Sequence, residues 1–158
     1  MKILVLILFI VLAINSVSAA HFVLGYVNDA LDGALADDRT VLGWNPSVGI
    51  SDNITDIIGP NGNSGTNNYF MIDCEMLNVP CAIGDSLNIQ VIDDGNGYFS
   101  SIVSVIITGE GFDLSSDISI NSPPNPTLNT PLNKSNVTIA NLTCSATDID
   151  SNLANVTL

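Results

Sequence analysis

GDSLNIQVIDDGNGYFSSIVSVIITG, residues 84–109, has the pattern of a β-hairpin and indicates the fold class of the whole chain. In residues 87–91, Leu, Ile and Val alternate with Asn and Gln, as expected for a strand with one buried and one solvent-facing side. Residues 93–97, DDGNG, tolerate left-handed backbone angles and predict a chain reversal. Residues 98–108 are rich in β-branched and aromatic side chains, which favour a second strand. The sequence therefore predicts an all-β protein.

The composition is strongly acidic although charged residues are few. The 158 residues include 16 Asp and Glu but 3 Lys and Arg, which gives a formal net charge of −13. A surface of that sign repels phosphate backbones and anionic lipid, so we expect neither nucleic acid nor an anionic membrane as a partner. The acidity either keeps an exported protein soluble or attracts divalent cations. Asn, Ser, Thr and Gly supply most of the polarity, and they disfavour long amphipathic helices.

Residues 1–20 have the pattern of a secretory signal peptide. Lys2 provides a positive start, residues 3–14 are a continuous apolar run, and small residues follow. The run is shorter than the roughly 20 residues needed to span a bilayer. We expect cleavage after Ala19 or Ala20, with an uncleaved anchor as the alternative. The mature chain is predicted to be secreted or displayed on the cell surface, with no membrane span.

Residues 21–121 are predicted to form a first folded domain. Its opening combines a strand at residues 21–27, an acidic turn containing Gly, an Ala-Asp step at residues 36–37 and a second strand at residues 40–42. This order resembles the opening hairpin of carboxypeptidase-regulatory-like and other prealbumin-like β-sandwich modules. The resemblance implies a β-sandwich. The chain departs from that pattern after the second strand, where residues 45–68 insert a long polar stretch.

The rest of this domain predicts loops and further strands. Gly, Pro, Asn and Ser punctuate residues 45–68, which predicts a loop with a short strand near residues 54–58. Residues 69–76 predict the next strand, and residues 112–120 predict the last strand of the domain.

The cysteines predict one structural disulfide. Cys74 and Cys81 are separated by a turn. A bridge between them would stabilise the folded state by about 2.5 kcal/mol, because closing this short loop lowers the chain entropy of the unfolded state. A metal site is the alternative, but the sequence contains one histidine, His21, which we expect to be exposed at the new N-terminus. Catalytic use of a thiol would need a base, and none is evident. Cys144 has no predicted partner.

A proline-rich linker and the start of a second domain follow. Residues 122–127 contain three prolines, which favour an extended backbone and a domain boundary. Residues 128–158 resemble the first strands of immunoglobulin-like modules found in tandem on archaeal and bacterial surface proteins. The matching residues are Pro131, Asn133, Ser135, Asn141, Thr143, Cys144, Ala146, Thr147, Asp148, Leu153 and 156–158. The resemblance implies a truncated second β-sandwich, because a complete one needs roughly 100 residues, and we expect the natural chain to continue.

Few residues suggest ligand binding. Asp148, Asp150 and Asn152 have the alternate spacing of a calcium loop but lack the Gly and the late Glu of an EF-hand, so they predict either weak calcium binding or a solvated turn. The same alternatives hold for the acidic residues within 93–96. Trp44, the single tryptophan, is either a core residue or a platform that stacks on sugar. No other cofactor is expected.

Five sequons predict N-glycosylation if the source cell glycosylates. They begin at Asn53, Asn133, Asn136, Asn141 and Asn155. Since we find no nucleophile with its base and no phosphate-binding loop, an enzyme is not expected. The first hypothesis is a non-enzymatic structural or adhesive module whose partners are other surface or extracellular proteins or glycans. The second is an accessory glycan- or peptide-binding domain of a larger secreted hydrolase, which would bind through residues 45–68 and Trp44.

Overall fold

The computed structural model describes residues 20–109, 111–130 and 143–151. These residues form an all-β structure, which confirms the predicted class. In these ranges the strands are β1 (Phe22–Asn28), β2 (Thr40–Trp44), β3 (Asn53–Ile57), β4 (Tyr69–Asp73), β5 (Ser86–Val91), β6 (Phe99–Ser100), β7 (Val103–Ile106), β8 (Phe112–Leu114), β9 (Ile118–Asn121), β10 (Asn125–Thr130) and β11 (Thr143–Thr147). A turn of 3-10 helix, Cys74–Met76, follows β4. Within the described ranges no helix is long and apolar enough to cross a membrane.

Two sheets pack together as a β-sandwich. The first sheet has the order β4-β1-β9-β6. Along one edge of β1, β8 pairs with the first half of the strand and β9 pairs with the last residues of the strand. The second sheet has the order β3-β2-β5-β7. Neighbouring strands are antiparallel, except that β8 and β9 run parallel to β1. β10 and β11 form a separate antiparallel pair.

The core lies between the two sheets and follows from the two-residue period of the strands. In β1, Val23 and Val27 point inward, and in β5, Leu87, Ile89 and Val91 do so, as the alternation predicts. Other buried members of the same cluster include Val41, Ile58, Phe70, Ile72, Ile107, Ile118 and Ile120. Their burial supplies the main driving force for closing the two sheets.

The stretch at residues 84–109 forms the predicted hairpin, but its second strand is divided between the sheets. β5 pairs with β7, and Leu87 lies opposite Val105. β6 pairs instead with β9 of the first sheet. Ser100 accounts for the division, because its Oγ accepts a hydrogen bond from the Val91 N–H at 2.9 Å. The Ser100 side chain thus satisfies the backbone N–H at the end of β5, and the backbone of β6 is left to pair with β9.

The predicted opening hairpin is wrong, because β1 and β2 belong to different sheets. The segment between them crosses from one sheet to the other. Its Ala30 and Ala36 are buried in the core cluster, and the Asp29 carboxylate accepts a hydrogen bond from the Ala36 N–H at 2.9 Å. These contacts place the segment over one end of the core. A tight turn between two paired strands would not cover that end.

Other predicted strands are present with altered bounds. β3 lies within the predicted polar stretch, close to residues 54–58, and β4 ends at Asp73, where the 3-10 turn begins. Residues 112–120 form two strands, β8 and β9, rather than one. Between them the Ser115 N–H donates to the Leu24 carbonyl at 2.8 Å, so the chain stays against β1 while its strand pairing is interrupted.

The predicted linker is shorter than residues 122–127, because β10 begins at Asn125. The Ser122 N–H donates to the Asp150 carboxylate, so this segment contacts the turn after β11 instead of standing free. β10 and β11 are the strands that the structure describes in the predicted second domain. The predicted signal peptide, except for Ala20, and the rest of the second domain lie outside the described residues.

Candidate functional site

The outer side of the first sheet is apolar over β4, β8 and most of β1, whereas Asn28, Ser119 and Asn121 are polar residues on the same side near β9. Because side chains alternate along a strand, the inward direction of Val23 and Val27 turns their neighbours in β1 to the outside. Large side chains from β4 and β8 lie on the same outer side. This apolar face consists of Phe22, Leu24, Tyr26, Tyr69, Met71, Phe112 and Leu114.

Strand pairing sets the apolar face in rows. The rows across the strands are Phe112, Phe22 and Asp73; Leu114, Leu24 and Met71; and Tyr26 and Tyr69. The rings of Tyr26 and Tyr69 meet edge to face, with their centroids 5.2 Å apart. Asp73 is the charged residue in these rows, and it lies at one corner of the face. The apolar face is therefore nearly neutral on a chain whose net charge is −13.

Several side chains of the apolar face are open to solvent. Leu114 is 69% exposed, Phe112 is 56% exposed and Tyr69 is 40% exposed. The outer side of the second sheet is mixed by comparison, because polar side chains of β3, β5 and β7 surround its apolar ones. Its polar members are Thr40, Asn53, Thr55, Ser86, Asn88, Gln90 and Ser104. Large contiguous apolar surfaces often form interaction sites, so this face is the candidate functional site.

The predicted disulfide between Cys74 and Cys81 is present, with 5.6 Å between the two Cα atoms. Asp52, which no sequence pattern indicated, holds the loop that the disulfide closes. Its carboxylate accepts hydrogen bonds from the backbone N–H groups of Val79 and Asn78, each at 2.9 Å, and from the Asn78 side chain at 3.0 Å. These hydrogen bonds, that from Val79 first, hold the pKa of Asp52 below its ordinary value.

His21 is buried, so the prediction that it is exposed is wrong. Its Nε2 lies 2.7 Å from a carboxylate oxygen of Asp113. Asp113 also accepts hydrogen bonds from the hydroxyl and the N–H of Thr108, at 2.7 and 3.0 Å. Burial opposes ionisation of Asp113, but the hydrogen bonds from Thr108 and His21 outweigh it and keep the pKa of Asp113 below its ordinary value. The pair thus ties the start of β1 to β8.

Trp44 does not provide an open aromatic platform. Strand pairing places it on the outer side of β2, opposite Asn53 and Asn88, yet it is 6% exposed. Of the two alternatives for Trp44, a buried residue is the one that the structure shows. A sugar ring cannot stack on it in this conformation.

The acidic turn before β6 is explained by its own hydrogen bonds. Asp93 accepts from the N–H groups of Gly95 and Gly97, at 2.9 and 2.8 Å. Asp94 accepts from the Asn96 N–H at 3.1 Å. These contacts are the usual way in which Asp stabilises a tight turn.

The predicted calcium loop at Asp148, Asp150 and Asn152 is described in part. Asp150 accepts a hydrogen bond from the Ser122 N–H, while Asn152 lies outside the described residues. In the part of the chain that the structure covers, no group of three or more His, Cys, Asp or Glu is arranged to hold a metal ion. Calcium binding by Asp148, Asp150 and Asn152 stays a prediction from the sequence.

One predicted glycosylation site falls among the described residues. Asn53 is exposed at the start of β3, and its side-chain amide donates to the Ile50 carbonyl at 2.8 Å. The sequons at Asn133, Asn136, Asn141 and Asn155 lie outside the described ranges.

Comparison of this chain with protein-family models, curated proteins and solved structures finds no match. The resemblances to prealbumin-like and immunoglobulin-like modules therefore rest on the quoted residues.

Proposed function

We propose that this chain is a non-enzymatic structural or adhesive module of a secreted or cell-surface protein and that it holds a surface protein through the apolar face. The observation that carries the proposal is the exposed apolar surface on strands β1, β4 and β8. The leader pattern and the sequons support export. A protein partner fits this face better than a glycan, because its rows offer few hydrogen-bonding groups for sugar hydroxyls.

The size of the apolar face supports a weak contact. Three strands of about five residues measure about 14 by 17 Å, or roughly 240 Å² in projection. A stable interface buries about 800 Å² on each partner. Covering Leu114 and Phe112, which are 69% and 56% exposed, contributes about 1–2 kcal/mol for each side chain. Such a contact becomes strong when several modules engage together, which suits adhesion.

The second hypothesis, an accessory domain of a larger secreted hydrolase, has less support. It relied on Trp44 as an aromatic contact for glycan, and Trp44 is buried. We therefore place the adhesive module first.

A bead assay with a matched control tests the proposal. Beads carry the purified exported protein, and their attachment to the cells that export it is counted under flow. The double substitution Phe112→Ser and Leu114→Ser should lower attachment by about thirtyfold or more, since it removes about 2–4 kcal/mol from each contact. Ile106→Ser is the control, because Ile106 is 59% exposed on the outer side of the other sheet.

Attachment that falls equally in the control and in the double variant would show that general surface hydrophobicity, and not the apolar face, mediates adhesion. Unchanged attachment in the double variant would also contradict the proposal. Circular dichroism of both variants checks that the sheets are intact.

A further inference from the structure

A pocket of about 490 Å³ lies beside the apolar face, where β1 ends. Its walls come from the end of β1, the segment that follows it, β9 and the turn after β11. The volume falls within the range of small-ligand sites, about 300–1,000 Å³. The lining residues that matter for binding are Tyr26, Asn28, Leu31, Ser119 and Asn121. Strand pairing brings them together, since Asn28 lies opposite Ser119.

The pocket contains polar groups that the protein itself does not use. Among the described residues, none bonds to the Ser119 hydroxyl or to the Asn121 side-chain amide. Asn28 donates one amide hydrogen to the Ile118 carbonyl at 3.4 Å, and its amide oxygen accepts no hydrogen bond from the described part of the chain. Because hydroxyl and amide groups both donate and accept, a ligand in this pocket finds open partners of both kinds.

Tyr26 and Leu31 give the pocket its apolar part. The Tyr26 ring already packs edge to face against Tyr69, with the centroids 5.2 Å apart, so a ligand does not have to immobilise it. Leu31 is 65% exposed. An aromatic wall beside hydroxyl and amide groups matches a sugar ring, which has C–H groups on its faces and hydroxyl groups around its rim.

The charges of the pocket disfavour an anionic ligand. Asp29 and Asp150 line it, and no lysine or arginine is among the lining residues that the structure describes. Both carboxylates are already bonded. Asp29 accepts from the Ala36 N–H and the Asn68 side chain, at 2.9 and 2.8 Å, and Asp150 accepts from the Ser122 N–H. The two carboxylates therefore set a negative potential, and the uncharged polar groups are the ones left to contact a ligand.

We infer that this pocket binds a neutral hexose at the end of a glycan. Asn28, Ser119 and Asn121 form hydrogen bonds with the sugar hydroxyls, and the ring packs against Tyr26. The site meets the apolar face at Tyr26 but lies over the polar end of the sheet. Its ligand differs from the protein partner proposed for the apolar face, and it does not depend on the proposed adhesion.

NMR titration of the ¹⁵N-labelled exported protein tests the inference. The probes are the methyl α- and β-glycosides of glucose, galactose and mannose. Each is compared with the glycoside of the corresponding uronic acid, which keeps the ring and replaces the primary alcohol by a carboxylate. At least one neutral glycoside should shift the side-chain amide signals of Asn28 and Asn121 with a dissociation constant below about 10 mM.

The matched uronic acid should bind at least about fivefold more weakly than that neutral glycoside, because the pocket is negative. Equal binding of the two would overturn the inference. The absence of a saturable shift with every neutral glycoside at about 50 mM would also overturn it, as would shifts confined to residues outside the pocket.

Protein variants check that the sugar is bound by these side chains. Asn121→Ala should weaken binding of the glycoside by about fivefold or more, and Asn88→Ala should change it by less than about twofold. Asn88 is a matched control because it lies on the outer side of the other sheet and does not line the pocket. Equal losses in both variants would overturn the inference. If Asn121→Ala disturbs folding, Ser119→Ala provides the same test at an exposed position.

Discussion

Replacing Ser100 by Ala should destabilise the sandwich at the point where the chain leaves one sheet for the other. The Ser100 hydroxyl is buried, accepts from the Val91 N–H at 2.9 Å and donates to the Ser101 carbonyl at 2.8 Å. Alanine fills nearly the same volume but leaves the buried Val91 N–H without its partner. An unsatisfied buried donor of this kind lowers the free energy of unfolding by about 1–3 kcal/mol.

Urea unfolding followed by circular dichroism measures this effect. The midpoint should fall while the dependence on urea concentration stays unchanged, because the substitution alters stability and not the surface exposed on unfolding. Ser104→Ala is the control. Its hydroxyl also makes a hydrogen bond, to Asn88 at 2.7 Å, but on the exposed outer side of the sheet, so its loss should cost less than about 0.5 kcal/mol.

Equal losses in the Ser100 and Ser104 variants would refute this account of the strand division. A midpoint that does not move in Ser100→Ala would do the same, since water or another backbone group would then satisfy the Val91 N–H. A hydrogen-exchange experiment supports the measurement, because the Val91 amide should lose protection in Ser100→Ala and keep it in the control.

Two further outcomes are expected. Replacing both Cys74 and Cys81 by Ala should lower the free energy of unfolding by about 2.5 kcal/mol in urea, and no change would show that Asp52 alone orders the loop. Stability should also decline in acid, because the carboxyl groups of Asp52 and Asp113 have pKa values below 3.8 in the folded protein. Their contribution is complete above about pH 5 and is lost as the pH falls through the lowered values, so Asp52→Asn and Asp113→Asn should each flatten the acid limb of a thermal-unfolding series.

Features that depend on near neighbours in the chain could be predicted from the sequence. The alternation at residues 87–91 predicted which side chains of β5 are buried, because a strand has a period of two wherever it lies. The short spacing of Cys74 and Cys81 predicted their disulfide for a similar reason. The polar stretch after Trp44 was predicted as a loop with one short strand, and β3 lies within it.

Features that depend on which strands become neighbours could be seen only in the folded protein. Alternation indicates that Phe22 and Leu24 share a side of β1, but it does not indicate that β8 will place Phe112 and Leu114 beside them. His21 was predicted to be exposed because it was expected at the new N-terminus, and no local pattern indicates its partner Asp113, which is 92 residues away in the chain.

The same limit explains why the opening hairpin was predicted wrongly. β1 and β2 follow each other in the chain but lie in different sheets. A pattern along the chain reports which face of a strand is buried, whereas the choice of partner strand depends on packing across the whole core. The candidate binding surfaces of this protein arise from that choice.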